Sequence, residues 1–413
     1  MKITKIVGAF SAAIVVAASL TAASPASAAV KNLVVWADKG TIDTIKAQVQ
    51  AWDTSKAGKD YTVTLVQKEF TTVRDAIKVA VPKGQGPDIL AGAAHDWLGD
   101  LVDANVLLPI TKQLTSSYQS NFVPGALQAM KYKGQYYGIP GWTENLAWLR
   151  NTKVAKTRVT SINKVKNDEL AVPYGSDGDG YHFYPFQTMF GAPIFSQDKK
   201  GDWTNTVAMG GKKGTDFAKW LKLKGTDFFG KPGDADILCK FIKGDIKYWV
   251  TGAWNINAVE AGKAGCTPGL KIGKSYAIDP FPAGPTGIKT KQFLGIRGYF
   301  MVASGPNNLT NVAGATLLMK HLATSAVQFN LYEDYNKTPS NAQALGKAKS
   351  NPVIKGFANA ANTVPMPNSP AMDKAWGIWG KAQARIITGK EADAAQAWTN
   401  MVNALQAEIN KAN

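Results

Sequence analysis

The fold is decided by residues 33–52, which read LVVWADKGTIDTIKAQVQAW. The first four residues are an apolar run typical of a short buried strand, and an Asp-Lys-Gly turn follows shortly after it. Apolar residues then recur at helical spacing, at Ile42, Ile45, Val49 and Trp52. The stretch therefore predicts one strand followed by one amphipathic helix.

Two further strands follow this first unit. Residues 61–66 alternate as a strand, with Thr and Val in turn, and residues 88–91 follow a Gly-Pro turn as a third, buried strand. Between them, Thr72 and Asp75 have the spacing of a capping box that opens a second helix. This βαβαβ order predicts an α/β fold with a parallel sheet covered by helices.

The rest of the chain is less regular until its C-terminal third. Residues 172–191 are rich in Gly and aromatic residues, and residues 279–292 are rich in Pro and Gly, as in a crossover or surface loop. The C-terminal third is predicted to be helical. The last helix has one apolar face, interpreted as core packing and formed by Trp398, Met401, Val402, Leu405 and Ile409.

Residues 1–28 have the pattern of a signal peptide. Lys2 and Lys5 precede an apolar run, and Ala26-Ser27-Ala28 supplies small residues for cleavage. We expect cleavage near Ala28 and an exported, extracytoplasmic chain, in the periplasm or at the cell surface. The alternative is an uncleaved anchor, but the run is short for a membrane span. Residues 20–30 contain no cysteine, so no lipid anchor is expected.

The chain of 413 residues has a formal net charge of +17, and removal of Lys2 and Lys5 with the signal peptide leaves +15. The lysines are scattered and form no basic tract or nucleic-acid motif, so we expect no nucleic-acid partner. We favour a solvated basic surface that is attracted to an anionic cell envelope.

Cys239 and Cys266 are the only two cysteines. In an exported chain they are predicted to form one disulfide, and the alternative is two free thiols. With only three histidines, the chain offers few ligands for zinc. The loop at residues 175–180 has some features of a calcium loop but lacks the closing glutamate. No metal and no cofactor are therefore predicted.

Carboxylates lie beside aromatic rings near the ends of the early strands, where ligands bind in open α/β sheets. Carboxylates accept hydrogen bonds from hydroxyls, a lysine donates to hydroxyl oxygens, and flat rings cover the C–H faces of a sugar. The pattern predicts a sugar site, although Asp38 and Asp96 could instead only cap the following helices. The candidate residues at these turns are Asp38, Lys39, Asp96, Trp97, Trp142 and Glu144.

Five short motifs are spread over nearly all of the expected mature chain. They are Trp36-x-Asp38-Lys39-Gly40; Gly86-Pro87-Asp88-Ile89 with Ala94-His95-Asp96 and Gly99; Lys133-Gly134-Gln135 with Ile139-Pro140 and Glu144; Phe241-Ile242-Lys243-Gly244 with Gly252-Ala253-Trp254; and Met366-Pro367-Asn368 with Pro370 and Trp376. In their order and nearly in their spacing, these motifs resemble those of the maltose- and maltodextrin-binding proteins of ABC importers.

The resemblance implies a two-lobed periplasmic-binding-protein fold, class II type, in which each lobe is a mostly parallel sheet flanked by helices. A hinge of crossing segments joins the lobes, which close on ligand. Lobe 1 is expected to comprise residues 29–142 and 281–336. Lobe 2 is expected to comprise residues 143–280 and 337–413, the latter part with the C-terminal helices.

The implied function is capture of an oligosaccharide of the maltose/maltodextrin class and its delivery to the membrane permease subunits of an importer, by a monomer that is not an enzyme. The implied hydroxyl-binding residues are Asp38, Lys39 and Asp96 in lobe 1, Glu144 near the hinge and Asp179 in lobe 2. The implied stacking rings of lobe 2 are Tyr181, Trp254 and Trp376.

Two positions depart from the family's best-known members. Ala93 stands where they have a Trp, and Trp97 where they have an Arg just after the residue that Asp96 matches. One stacking platform is therefore lost, or replaced by Trp97 or Trp142, and one basic hydroxyl donor is lost. These departures leave the identity, linkage and length of the sugar open.

Two other classes of function compete with sugar capture. A secreted glycosidase could pair Glu144 with Asp96 or Asp179 as acid and base, but no motif defines such a pair. An envelope adhesin could use the basic surface. The chain contains neither a G-x-S-x-G elbow nor a P-loop.

Overall fold

The computed structural model describes residues 31–199, 202–303 and 311–411, so the predicted signal peptide lies outside the described residues. The strands are β1 Lys31–Ala37, β2 Tyr61–Gln67, β3 Ile89–Ala94, β4 Lys131–Tyr132, β5 Gln135–Tyr136, β6 Gly138–Glu144, β7 Leu146–Asn151, β8 Leu170–Ala171, β9 Phe195–Gln197, β10 Trp203–Val207, β11 Tyr248–Gly252, β12 Tyr276–Asp279, β13 Gln292–Met301, β14 Thr338–Pro339 and β15 Thr363–Pro365.

The α-helices are α1 Lys39–Asp53, α2 Val73–Ala80, α3 Leu98–Asp103, α4 Ser116–Gln119, α5 Pro124–Gln128, α6 Gly180–Thr188, α7 Gly211–Phe229, α8 Ile237–Lys243, α9 Ile256–Ala261, α10 Val312–Leu322, α11 Ser325–Tyr335, α12 Ala342–Ala348, α13 Pro352–Ala360, α14 Pro370–Ile387 and α15 Ala394–Lys411.

The predicted βαβαβ start is confirmed. Strand β1 pairs in parallel with β2 on one side and with β3 on the other. Helix α1 buries Thr41, Ile45, Val49 and Trp52, which recur every three or four residues and so lie on one helix face. Because these three strands are parallel, their carboxyl ends meet at one edge of the sheet.

The described strands form two main sheets. The larger has the order β14-β6-β13-β3-β1-β2, with β15 added to β13, and the smaller has the order β12-β7-β11-β8. The expectation of mostly parallel sheets holds for neither sheet. In the smaller sheet β7 is antiparallel to both β11 and β12, and in the larger sheet β6 is antiparallel to β13 and β14, while β13 is also antiparallel to β3. Strand β7 follows β6 of the larger sheet after one residue, and β12 precedes β13 of the larger sheet. Neither strand therefore belongs to a βαβ unit, whose crossover helix makes the strands on either side of it parallel.

The chain crosses between the sheets directly after β6, which continues into β7, and again between β12 and β13. The residues between β12 and β13 are the Pro/Gly-rich stretch that was interpreted as a crossover or a surface loop. A third crossing follows α12, since α12 packs on α11 whereas α13 packs on β12. Thr338–Pro339 pairs with β6 in the larger sheet, so this strand lies with lobe 1 although residues 337–413 were predicted in lobe 2.

Aromatic side chains dominate the core around the smaller sheet. Helices α7, α14 and α15 pack together there, and the predicted apolar face of α15 is confirmed at Trp398, Met401, Leu405 and Ile409, all buried. The indole of Trp398 donates to the carbonyl of Met209 at 2.7 Å, which pairs its polar atom inside the core.

Two local predictions have different outcomes. The capping box at Thr72 is wrong: Thr72 precedes α2, but its side chain makes no capping bond and faces the carbonyl of Glu69. The structure contains the predicted disulfide, which joins Cys239 and Cys266 across 27 residues. Within the described ranges, no helix is long and apolar enough to cross a bilayer.

We expect replacement of both Cys239 and Cys266 by Ser to lower the free energy of unfolding by about 3–4 kcal/mol, because a loop of this length then regains its freedom in the unfolded chain. Urea unfolding of the oxidised protein and of the double variant measures the difference. The oxidised protein with added reductant should lose a similar amount, and equal stability of all three samples would contradict the prediction.

Candidate functional site

A cleft of about 630 Å³ lies between the two main sheets. Its size is typical of a site for a small molecule. The first wall comes from the turns after β1, β2 and β3, from the middle of β13 and from the end of β6. The second wall comes from the start of α6, the turn after β11, and α14 with the residue Met366 that precedes it.

Eight of the ten predicted site residues line this cleft. They are Asp38, Asp96, Trp97, Glu144, Asp179, Tyr181, Trp254 and Trp376. Residues that lie far apart in the sequence are thus brought together because the strand ends of one sheet face the helix starts of the other.

Lys39 and Trp142 do not line the cleft, and both placements correct the prediction. Lys39 lies in the first turn of α1, where its side chain is 69% exposed and pairs with Asp43 at 2.5 Å, away from the cleft. The ring of Trp142 is only 1% exposed, because it packs in the core of the larger sheet. Its indole reaches the cleft indirectly, by donating to Glu144 Oε1 at 2.8 Å.

Asp38 has two tasks. It caps α1, accepting from the backbone N–H of Thr41 at 3.1 Å and from the Thr41 hydroxyl at 2.7 Å. It also lines the cleft, where its Oδ2 lies 3.4 Å from Arg297 Nη2. The helix-capping alternative and the site assignment are therefore both compatible with the structure at this residue.

Asp96 is the most deeply buried carboxylate of the cleft, with 2% exposure. Its Oδ2 accepts from the indole N–H of Trp376 at 2.9 Å, whereas its Oδ1 is buried without a hydrogen-bond partner. Burial raises the pKa of Asp96 to about 6, although the Trp376 bond and the charges of Arg74 and Arg297 oppose the shift. An unpaired buried oxygen of this kind is ready to accept a hydrogen bond from a ligand.

His95, next to Asp96, is structural. Its Nδ1 accepts from the backbone N–H of Ile296 at 3.1 Å, so Nε2 carries the proton that it donates to the carbonyl of Met366, also at 3.1 Å. Burial lowers the pKa of His95 to about 4, which keeps the ring neutral. The ring ties the turn after β3 to β13 and to the segment before α14.

On the second wall, Asp179 caps α6 by accepting from the backbone N–H of His182 at 3.0 Å, and it also faces His182 Nδ1 at 2.7 Å. The Gly-rich loop before it packs on α14. Gly178 has a φ of +75°, and a Cβ there would lie 1.9 Å from the carbonyl oxygen of Gly380. Only glycine satisfies both demands, and the close contact holds the start of α6 against α14.

Aromatic rings lie beside these carboxylates. Tyr181 lies 6.3 Å from Trp254, centroid to centroid, and Trp376 lies 5.8 Å from the core residue Trp379. Trp254 is 36% exposed, which is unusual for so large an apolar ring. Burial raises the pKa of Tyr181 well above its usual value, and Glu144 and Asp179 add to the shift, so its hydroxyl stays protonated.

Among the cleft residues that the sequence did not predict, five have a basic or aromatic side chain: Phe70, Arg74, His182, Arg297 and Lys337. Arg74 pairs with Asp373 at 2.5 Å, and Lys337 lies over the Trp142 ring at 5.1 Å. Burial lowers the pKa of Lys337, against the attraction of Glu144. No local signal separates these residues from ordinary surface charges, except for Phe70, an apolar residue directly after a strand end.

Carboxylates, guanidinium groups and aromatic rings thus face one another across a cleft between the two sheets. Within the described ranges, no cluster of three or more potential ligands suits a metal ion. The fold and the cleft define the class of two-lobed binding proteins, with a site between the lobes whose groups suit a small, hydroxyl-rich molecule.

A sequence profile for bacterial extracellular solute-binding proteins matches residues 49–356, and the chain belongs to that family. It is similar to the maltotriose-binding protein of Pyrococcus abyssi, with 28% identity over 346 residues that cover 80% of this chain and 72% of that protein. It is also similar to the galactooligosaccharide-binding protein of Bacillus subtilis, with 24% identity and coverage of 99% and 98%.

The Thermus thermophilus maltotriose binding protein, solved with maltotriose bound, has a similar structure. The TM-score is 0.76 at 24% identity, with 92% of this chain and 99% of that chain covered. This likeness confirms the predicted two-lobed fold.

The raised pKa of Asp96 predicts how the stability of the unliganded protein depends on pH. The folded state holds this proton more tightly than the unfolded chain, whose value is near 3.8. The stability that this proton gives to the folded state is therefore complete below pH 3.8 and is lost as the pH rises through about 6. Asp96→Asn cannot ionise, so we expect it to gain stability relative to the wild type between pH 4 and pH 7.

Urea unfolding of both proteins at the two pH values measures this difference without ligand. Asp43→Asn is the matched control, because Asp43 is an exposed carboxylate outside the cleft. The same difference at both pH values would rule out an Asp96 with a raised pKa.

Proposed function

We propose that the protein captures an oligosaccharide of the maltodextrin class between its lobes and delivers it to an ABC importer. The observation that carries the proposal is the make-up of the cleft. Hydrogen-bonding carboxylates alternate with aromatic rings on its walls, so that one sugar can be bound at its hydroxyl rim and on its C–H faces together.

The residues that bind sugar hydroxyls are Asp38, Asp96 and Glu144 on the first wall and Asp179 on the second. The free Oδ1 of Asp96 accepts from one hydroxyl and is then paired. Glu144 is held by the indole of Trp142, so its carboxylate loses little freedom on binding. The role of Trp142 is thus to position Glu144 rather than to stack on the sugar.

The rings that stack on the sugar are Trp254, Trp376 and Tyr181 on the second wall and Trp97 on the first. Trp254 has the largest free face, at 36% exposure. Phe70 packs against Trp97, with centroids 4.8 Å apart, and enlarges this first-wall platform. This pair supplies the ring surface that Ala93 lacks.

Two polar contacts bridge the two lobes and bear on lobe closure. Arg74 of α2 pairs with Asp373 of α14, and Asn257 of α9 donates to the backbone carbonyl of Asp334 in α11 at 3.0 Å. The Asn257 contact is exposed, whereas the Arg74–Asp373 pair is mostly buried, with side-chain exposures of 20% and 12%. Both contacts join elements of different lobes and therefore break when the lobes separate. Ligand bound to both walls favours the closed arrangement.

The sugar class is supported by the relatives, which are named for maltotriose and for galacto-oligosaccharides. Export with cleavage near Ala28, action as a monomer and docking on permease subunits complete the proposal. Glycoside hydrolysis is the competing function, and it predicts loss of the intact sugar.

A ligand panel tests the proposal directly. Thermal unfolding is measured with maltose, maltotriose, longer glucans, trehalose, sucrose and a galacto-oligosaccharide, since a ligand of the folded state raises the melting temperature by mass action. We expect a maltodextrin to give the largest shift and to be recovered intact. A shift with none of these sugars would refute sugar capture, and new reducing ends would favour the glycosidase.

Trp254→Ala is expected to weaken binding of the best sugar by about 2 kcal/mol or more, roughly 30-fold, because it removes a ring that carries buried contact area. Calorimetric titration measures the affinity. Trp203→Ala is the matched control, since Trp203 lies in β10 and does not line the cleft. Equal affinities of the two variants would exclude Trp254 from the site.

Trp376→Phe separates the two roles of Trp376, which are stacking by its ring and donation by its indole N–H. The variant keeps a flat ring but loses the N–H that donates to Asp96. We expect a smaller loss of affinity than with Trp376→Ala, in the same titration. If Phe and Ala cost the same, the hydrogen bond matters and the ring does not.

A further inference from the structure

Arg297 lies where the charged residues of the first wall meet. Its Nη2 lies 3.4 Å from Asp38 Oδ2, and its Nε lies 3.9 Å from Glu144 Oε2. Its side chain is only 14% exposed, and the buried Nε has no hydrogen-bond partner. Strong charge-assisted bonds are about 2.7–2.9 Å long. The guanidinium is therefore near two carboxylates but has donors left over.

The neighbours of Arg297 hold it in this position. Its Cζ lies 4.1 Å from the centroid of the Phe70 ring, in cation–π geometry, and Phe70 in turn packs on Trp97. On the adjacent strand β3, the residue opposite Arg297 is Ala94. A small residue there leaves room for the long side chain on the cleft side, which Ala94 also lines.

The contacts form one series across the first wall: Trp97 packs against Phe70, and Phe70 packs against the guanidinium of Arg297, which comes from a different strand. Arg74, the other arginine of the cleft, lies 2.5 Å from Asp373. Arg297 differs from it because both of its carboxylate neighbours lie farther away, at 3.4 and 3.9 Å, so its guanidinium is the less tightly paired of the two.

We propose that Arg297 is a specificity-determining residue, which donates to the oxygen of the same sugar hydroxyl whose proton is accepted by Asp38 or Glu144. This inference rests on the proposed sugar-binding function. A hydroxyl both donates and accepts, so it satisfies the guanidinium and the carboxylate together.

The expected consequence is discrimination at one position of the sugar ring. A sugar without that hydroxyl leaves a buried donor and a buried carboxylate without a partner, which costs far more than the loss of a single bond. A sugar with the hydroxyl pairs both groups. Arg297 therefore favours the sugar that has the hydroxyl over the sugar that lacks it.

The test compares maltotriose with its set of monodeoxy analogues by calorimetric titration, for the wild type and for Arg297→Met. We expect at least one analogue to bind the wild type about 100-fold more weakly than maltotriose. Arg297→Met should bind maltotriose about 10- to 100-fold more weakly. For that analogue the variant should lose much less, so that the ratio of affinities falls toward one.

Arg297→Lys keeps the charge and replaces the planar fork, and it carries the test if Arg297→Met does not fold. It should retain more affinity than Arg297→Met but still show a reduced ratio. Arg385→Met is the matched control, because Arg385 pairs with Glu391 on the surface of the smaller-sheet lobe. Its ratio should equal that of the wild type.

The outcomes separate the two proposals. If the Arg297 variants lose affinity for maltotriose and all analogues equally, Arg297 only supports the wall, and the inference is overturned. Unchanged affinities in these variants overturn it as well. A wild type that binds maltotriose without discriminating any analogue also contradicts it. A wild type that binds no maltodextrin refutes the proposed function itself.

Discussion

Strand β13 belongs to both halves of the molecule, and the rest of the structure is arranged around it. Near its start, Phe293 stacks on Tyr184 at 3.7 Å in the core of the smaller-sheet lobe. Toward its end, Tyr299 is fully buried in the core of the larger sheet. Between these two anchors, Gly295, Ile296 and Arg297 line the cleft. A strand fixed at both ends defines the floor of the site and limits how the lobes can move.

Unpaired polar atoms in the cleft destabilise the folded protein, and a ligand that pairs them removes this penalty. Burying charged groups is unfavourable unless they are paired, and here Asp96 has an unpaired oxygen while Arg297 has an unpaired nitrogen. The cores on either side compensate, since both are closely packed with large apolar rings. The side chains within each wall are therefore already positioned for hydroxyls, and lobe closure brings the two walls together.

Much of the site was predictable from sequence, for a specific reason. Asp38 and Asp96 come directly after parallel strands, and such positions share one edge of a sheet. Trp254 and Trp376 were placed by ordered motifs rather than by local chemistry. Lys39 was misplaced because the first turn of α1 directs its side chain to solvent, beside Asp43. Sequence spacing does not reveal that rotation.

The sequence by itself determined the α/β class, the start of the parallel sheet and the carboxylates at its edge, because strand and helix periods are local properties. Tertiary structure decided which side chains reach the ligand. Trp142 lies on β6 and Arg297 on β13, and the two residues are opposite each other where these strands pair. The ring of Trp142 packs into the core, whereas the side chain of Arg297 lines the cleft. Such outcomes depend on contacts between residues more than one hundred positions apart, and no local pattern encodes them.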